Sequence, residues 1–253
     1  MSAVLAEWTK LRTVASTYWL LAAAVVGTAG IGALMTVSLD ARHCEGACVV
    51  DTVQRSLYGV RLGQVAVAVL AVLVVAGEWG TGTIRPSVAA MPRRALALLG
   101  KLAVLAATVL VAGAASVGAS LLVGAYVVPR RGFAALALGE EPARRAAAGS
   151  VLYLALIALF AAGIALIVRD TGAAIGAVLA VLFVVPLLAS MVAGPKWAHR
   201  LHRWGPMDAG LAVQVTKHLT PPDIGPWAGL GVLALYAAGA VVIGLLLFEL
   251  RDV

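Results

Sequence analysis

Six stretches of the chain run for about 18 residues or more with almost no charged side chain, the length a helix needs to cross a hydrocarbon core about 30 Å thick. They fall at Tyr18 to Val37, Leu57 to Ala76, Leu102 to Val128, Val151 to Val168, Thr171 to Ala193 and Trp227 to Phe248, with Arg61 the one charge, near an end of the second. Lipid offers no hydrogen bonds, so a crossing segment must satisfy its own backbone, and each run is predicted to be an α-helix. Composition leads the same way. With 62% hydrophobic and 12% charged residues and a mean hydropathy of +1.00, the chain cannot enclose its apolar surface in a water-facing shell. An ordinary cytosolic enzyme and a disordered chain are both excluded.

The expected fold class is all-α integral membrane, with six transmembrane helices, an N-terminal amphipathic interfacial helix and short external helices before the last span. The first run is longer than the roughly 7 to 15 residues of a signal-peptide core, so it is read as a retained span. Only Arg169 and Asp170 bring charge between the fourth and fifth runs, which predicts a tight helical hairpin. Pro195, Pro206, Pro221, Pro222 and Pro226 punctuate the longest non-spanning stretch, so any helices there are short. Residues 1–17 are read as the interfacial helix and 18–253 as one membrane domain, with loops at 77–101 and 194–226.

Six crossings put both termini on one side. More Lys and Arg fall opposite the termini than with them, against the positive-inside rule. Lys10 and Arg12 before the first span, and Arg85, Arg93, Arg94 and Lys101 after the second, argue the other way, for cytoplasmic termini. The net charge of +7 and pI near 9.9 are assigned to the bilayer edges, and no nucleic-acid partner is expected.

The spans lack the groups that power chemistry. No ionisable residue sits near the middle of any of them, which disfavours a proton relay or an ion-coupled pump; Arg61, Lys101, Arg169 and Asp170 are close enough to span ends to snorkel. No span contains His, and neither a Gly-x-Ser-x-Gly nucleophile motif nor a phosphate-binding Gly-x-x-x-x-Gly-Lys-Ser/Thr occurs. The chain is therefore read as neither an enzyme nor an ATP binder. Thr108, Ser116, Ser120, Ser190 and Tyr236 suit close helix packing, and the pairs Gly59/Gly63 and Gly172/Gly176 are weak candidates for a dimer face.

Three short segments carry more specific signals. Val4, Trp8 and Leu11 share one helical face near the N-terminus, with Glu7, Lys10 and Arg12 nearby, and Ser16 or Thr17 is placed to cap the first span. After the second span, Gly77-Glu78-Trp79-Gly80-Thr81-Gly82-Thr83-Ile84-Arg85 is followed by Pro86 and by Met91-Pro92-Arg93-Arg94, which predicts a glycine-broken turn and a short helix from about Thr83. Before the last span, Trp197, Leu201 and Trp204 alternate with Lys196, Arg200 and Arg203, the pattern of a helix lying among lipid headgroups. His199 and His202 within it are read as interfacial, with no metal site expected.

The first two of these segments, Ala6-Glu7-Trp8-Thr9-Lys10-Leu11-Arg12 and Gly77 to Arg85 with Pro92-Arg93-Arg94, resemble the membrane subunit of a type-2 ATP-binding-cassette (ABC) exporter, a likeness that extends over the whole chain. The resemblance implies a permease that dimerises, with a second copy or a paralogue, and is driven by a separate ATP-binding subunit. ATP and magnesium would reside on that partner, with no cofactor on this chain. It further implies that Glu78, Thr81, Thr83, Ile84, Arg85, Met91, Arg93 and Arg94 shape a cytoplasmic coupling element whose 83–91 stretch touches the ATPase. The chain would then be a multi-pass cell-membrane exporter of hydrophobic or amphipathic cargo with cytoplasmic termini; an ATP-independent carrier or channel is the alternative. In that topology Cys44 and Cys48 lie outside, as a local disulfide or as two free thiols.

Overall fold

The computed structural model describes residues 8–9, 13–39, 50–80, 94–192, 203–217 and 224–250. Among these residues every regular element is a helix. In chain order they are α1 (Ala15–Val37), α2 (Thr52–Ser56), a 3-10 turn (Leu57–Gly59), α3 (Val60–Gly80), α4 (Arg94–Arg130), α5 (Glu141–Val168), α6 (Thr171–Leu179), a π-helical turn (Ala180–Val184), α7 (Val185–Val192), α8 (Pro206–Leu211), a second 3-10 turn (Ala212–Gln214) and α9 (Pro226–Leu250). Six of the resulting spans are long and apolar enough to cross a membrane: Ala15–Val37, Thr52–Gly77, Leu98–Arg130, Glu141–Val168, Thr171–Leu188 and Pro226–Leu250. The chain is an all-α, multi-pass membrane protein.

Several spans are longer than their uncharged runs. Glu141–Val168 is about 42 Å of helix and Leu98–Arg130 about 50 Å, so both project beyond a 30 Å hydrocarbon layer and carry Arg130, Arg144 and Arg145 into the headgroup region. The second span begins five residues earlier than its apolar pattern, because Asp51 caps α2 by accepting from the Gln54 N–H at 3.0 Å. At the start of α1, by contrast, Ser16 and Thr17 lie inside the helix, and the capping position is Val14, which offers no side-chain acceptor. In the fifth span the π-helical turn ends two residues before Pro186. A proline ring clashes with the carbonyl four residues back, here that of Leu182, and the wider turn relieves that clash.

The second and fourth spans form the centre, each with 61% of its most apolar stretch buried, whereas the first, fifth and sixth bury 22%, 17% and 28%. α5 packs against α3, α4, α6 and α9, and α1 packs against α3 and α4. Lipid tails are as apolar as leucine, so close backbone approach takes the place of hydrophobic exclusion in holding such helices together. A Cβ on Gly59 would stand 1.9 Å from the Thr28 carbonyl oxygen, and one on Gly63 2.2 Å from the Thr28 hydroxyl. These two glycines are therefore consumed in packing α3 on α1 and are not a dimer face. Gly172 and Gly176 meet no such neighbour.

The segment 206–217 sits inside the bundle's mouth. Met207, Ala209, Gly210, Leu211, Val213 and Gln214 are buried against α5 and α9. Its approach to α9 is fixed at Gly229, where a Cβ would lie 1.9 Å from the Ala209 carbonyl oxygen. Gly229→Ala should therefore cost about 1 to 3 kcal/mol by forcing α8 and α9 apart, whereas Gly231→Ala, which meets nothing within 4 Å, should be neutral. Thermal unfolding of the two purified variants in the same detergent checks the contrast.

Candidate functional site

The foot of the bundle is the end that carries α3's last turn, the 168–171 hairpin and the end of α9. The hairpin turns on Arg169, which closes α5 in the left-handed conformation at φ 60° and bonds its N–H to the Ala165 carbonyl at 2.9 Å. Asp170 then caps α6 by accepting from Ala173 N–H at 2.7 Å. Glycine is the usual occupant of a left-handed helix cap, so an arginine there is held against a conformational cost by its side chain. That side chain donates to the Leu247 carbonyl at 2.9 Å and lies 5.8 Å from the Trp79 ring centroid. Trp79 in turn meets Phe248 edge to face at 6.1 Å. One arginine thus joins the ends of the second, fourth and sixth spans. The Trp79 indole N–H is buried and meets no acceptor among the described residues.

Lys101, expected to snorkel, is 7% exposed near the start of the third span and packs into the bundle instead. Arg61 at the opposite end is half-buried.

Between foot and mouth the described interior is neutral, and several of its polar groups bond from one helix to another. Tyr153 on α5 donates to Gln64 Oε1 on α3, and Gln64 Nε2 donates to Met207 Sδ on α8 at 3.3 Å. Gln214 Nε2 donates to Ser150 Oγ at 3.0 Å, and Ser120 on α4 donates to the Ser56 carbonyl. Unpaired, each of these groups would cost several kcal/mol in lipid. Paired, they fix helix register and carry no net charge.

At the mouth, Asp51 is 3% exposed and its carboxylate gathers four donors. Oδ2 accepts from Thr216 N–H at 2.6 Å and Lys217 N–H at 2.8 Å; Oδ1 accepts from the Thr216 hydroxyl at 2.6 Å and from Gln54 N–H. Arg145, which also lies 3.8 Å from Glu141, donates to the Val215 carbonyl at 2.7 Å. The loop before the last span is thereby bonded to the second and fourth spans. Among the described residues no three His, Cys, Asp or Glu side chains converge.

No protein-family model matches the chain, and no curated protein does.

Of the residues singled out in the sequence, Glu78 lies in the last turn of α3 and Arg94 opens α4, their side chains falling outside the described set. Thr81, Thr83, Ile84, Arg85, Met91 and Arg93 lie outside it altogether, as do Glu7, Lys10, Leu11, Arg12, Cys44 and Cys48. Trp8 is helical and half exposed, and Thr13 donates back to the Thr9 carbonyl at 3.1 Å, one helical turn away. Trp204, from the predicted headgroup helix, is 57% exposed with Arg203 5.9 Å from its ring. Sequence reasoning passed over Asp51, Gln64, Tyr153 and Gln214, and gave Arg169 only a solvent-seeking role. A lone Gln in an apolar run and an Asp before Thr-Val-Gln were the available signals.

Asp51→Asn turns one acceptor into a donor facing donors, and should lower stability by about 3 kcal/mol. The expected readout is a lower unfolding temperature with faster proteolysis in 216–225; wild-type behaviour in both would show that the carboxylate does not anchor this loop.

Proposed function

We propose that the chain is the membrane-spanning permease subunit of an ABC exporter, working as a dimer with a second protomer. A separate ATP-binding subunit hydrolyses ATP with magnesium, and both termini and the 81–93 segment, shorter than the expected 77–101 loop because α3 runs to Gly80 and α4 begins at Arg94, face the cytoplasm. The observation that carries this reading is the Trp79–Arg169–Phe248 cluster. Trp79 is the penultimate residue of α3, so whatever moves the 81–93 segment pulls on Trp79 first. Arg169 and Phe248 then pass that displacement to the fourth, fifth and sixth spans. A loop bonded to one helix alone would have no such reach.

The neutral, internally bonded interior supports the same reading. The charged residues buried among the described ones, Lys101 and Asp51, lie toward its two ends, which leaves the middle without a group to couple to an ion gradient, favours an energy source outside the membrane and suits a hydrophobic or amphipathic cargo. In the proposed cycle, closure of the ATPase pushes the 83–91 stretch, the cluster at the foot rotates with it, and the path between protomers changes the side it faces.

Affinity purification of the tagged chain from its native membrane should recover a stoichiometric ATP-binding subunit. Arg85→Glu should weaken that association at least about tenfold while leaving membrane insertion intact. Trp79→Ala and Arg169→Gln should retain the subunit but lose cargo-stimulated ATP hydrolysis. Repeated absence of any ATPase from the purified chain would favour an ATP-independent carrier, and full association of the Arg85→Glu variant would remove the coupling assignment.

A further inference from the structure

A cleft of about 380 Å³ opens at the mouth between the second span and the 206–217 segment, lined by Gln54, Arg55, Tyr58, Arg61, Leu211 and Gln214. Two of its six lining residues are arginines and none is acidic. Among the described residues no carboxylate lies within ion-pair distance of Arg55 or Arg61. Asp208, on the adjoining helix, shares the electrostatic surroundings of Tyr153 with Arg61 but does not line the cleft.

Arg55 is exposed at the rim of the cleft, and Arg61 is the more enclosed of the two. Arg61 is half-buried, with its guanidinium 5.0 Å from the Tyr58 ring centroid, so the cation is positioned while its donors stay available. Gln214, 3% exposed, is bonded to Ser150 and forms a fixed polar wall. The depth is informative too. Arg61 stands about 24 Å of helical rise from Gly77, close to the far edge of a 30 Å hydrocarbon layer. Tyr58, in the lining, and Leu62, one turn deeper on the same face, are 38% and 48% exposed, an apolar shoulder directed toward the bilayer centre.

We propose that this cleft binds the phosphate headgroup of an anionic amphiphile, with Arg55 and Arg61 holding the phosphate and the acyl chain lying along Tyr58 and Leu62. Guanidinium groups match phosphate geometry, and a site at the headgroup level strengthens the bond relative to water. Uncharged and zwitterionic lipids gain less, because the cleft lining presents two cations and no acid. This site requires no ATPase partner and stands or falls apart from the exporter reading.

Native mass spectrometry of the purified full-length chain, titrated with phosphatidylglycerol or phosphatidylcholine, tests it. The wild type should retain phosphatidylglycerol in preference, and Arg55→Gln/Arg61→Gln should bind it about tenfold more weakly. Arg130→Gln/Arg131→Gln, which removes two arginines from the same end of the bundle, should change nothing. Competition by millimolar inorganic phosphate alone would identify a free anion as the ligand and overturn the lipid assignment. If the double variant misfolds, photo-crosslinking of the wild type with a phosphatidylglycerol probe decides the question. Adducts within 52–62 or 206–217 support the site; adducts confined to other spans, or equal retention of the two lipids, overturn it.

Discussion

A carboxylate at the edge of a hydrocarbon layer must be fully bonded, and the path of the chain at the mouth of this bundle follows from that demand on Asp51. Two of its four donors are the backbone N–H groups of Thr216 and Lys217, so satisfying the charge also fixes where the polypeptide runs. With the loop pinned there, Met207 reaches Gln64 and Gln214 reaches Ser150, and the two central spans acquire partners for polar groups that lipid would leave stranded. Burial of Met207, Gly210 and Val213 against α5 and α9 depends on the same placement.

The two ends of the bundle are built differently. At the mouth, hydrogen bonds to a buried charge and to backbone carbonyls hold three separate chain segments, an arrangement that resists sliding. At the foot, one arginine in a left-handed cap, one tryptophan and one phenylalanine join three spans through the Arg169–Leu247 hydrogen bond and ring contacts, and ring contacts tolerate small rotations. A bundle anchored at one end and jointed at the other is suited to rocking about its fixed end, and the foot is where the 81–93 segment enters and leaves. The proposed lipid cleft belongs to the anchored end.

Much of the architecture was readable from the residues because a bilayer imposes one simple rule. An apolar run of sufficient length must be a helix, and the rule located all six spans and the two-residue hairpin at Arg169 and Asp170. The ends of the spans were less legible. α5 starts ten residues before its apolar run, since a helix continues into the headgroup layer wherever charged side chains face water or one another, as Arg145 and Glu141 do. Local capping signals also misled at Ser16 and Thr17, where nothing in the sequence near α1 distinguishes a cap from a helical serine or threonine. Lys101 looked like a snorkelling side chain because its position along the helix is terminal, and only the packing around it shows that the residue faces inward.

The sequence by itself therefore determined the solvent, the fold class and the number of apolar spans, all of which depend on composition along a single segment. The tertiary structure alone decided which polar residues meet. Asp51 and Thr216, Gln64 and Tyr153, Arg169 and Leu247 lie 165, 89 and 78 positions apart, and no local periodicity encodes such pairings. Glycine shows the same division: Gly59 and Gly176 look alike in sequence, yet one lies against the Thr28 backbone and the other against nothing within 4 Å. The difference is set by which helix the bundle places opposite, a property of three-dimensional packing and not of the segment itself.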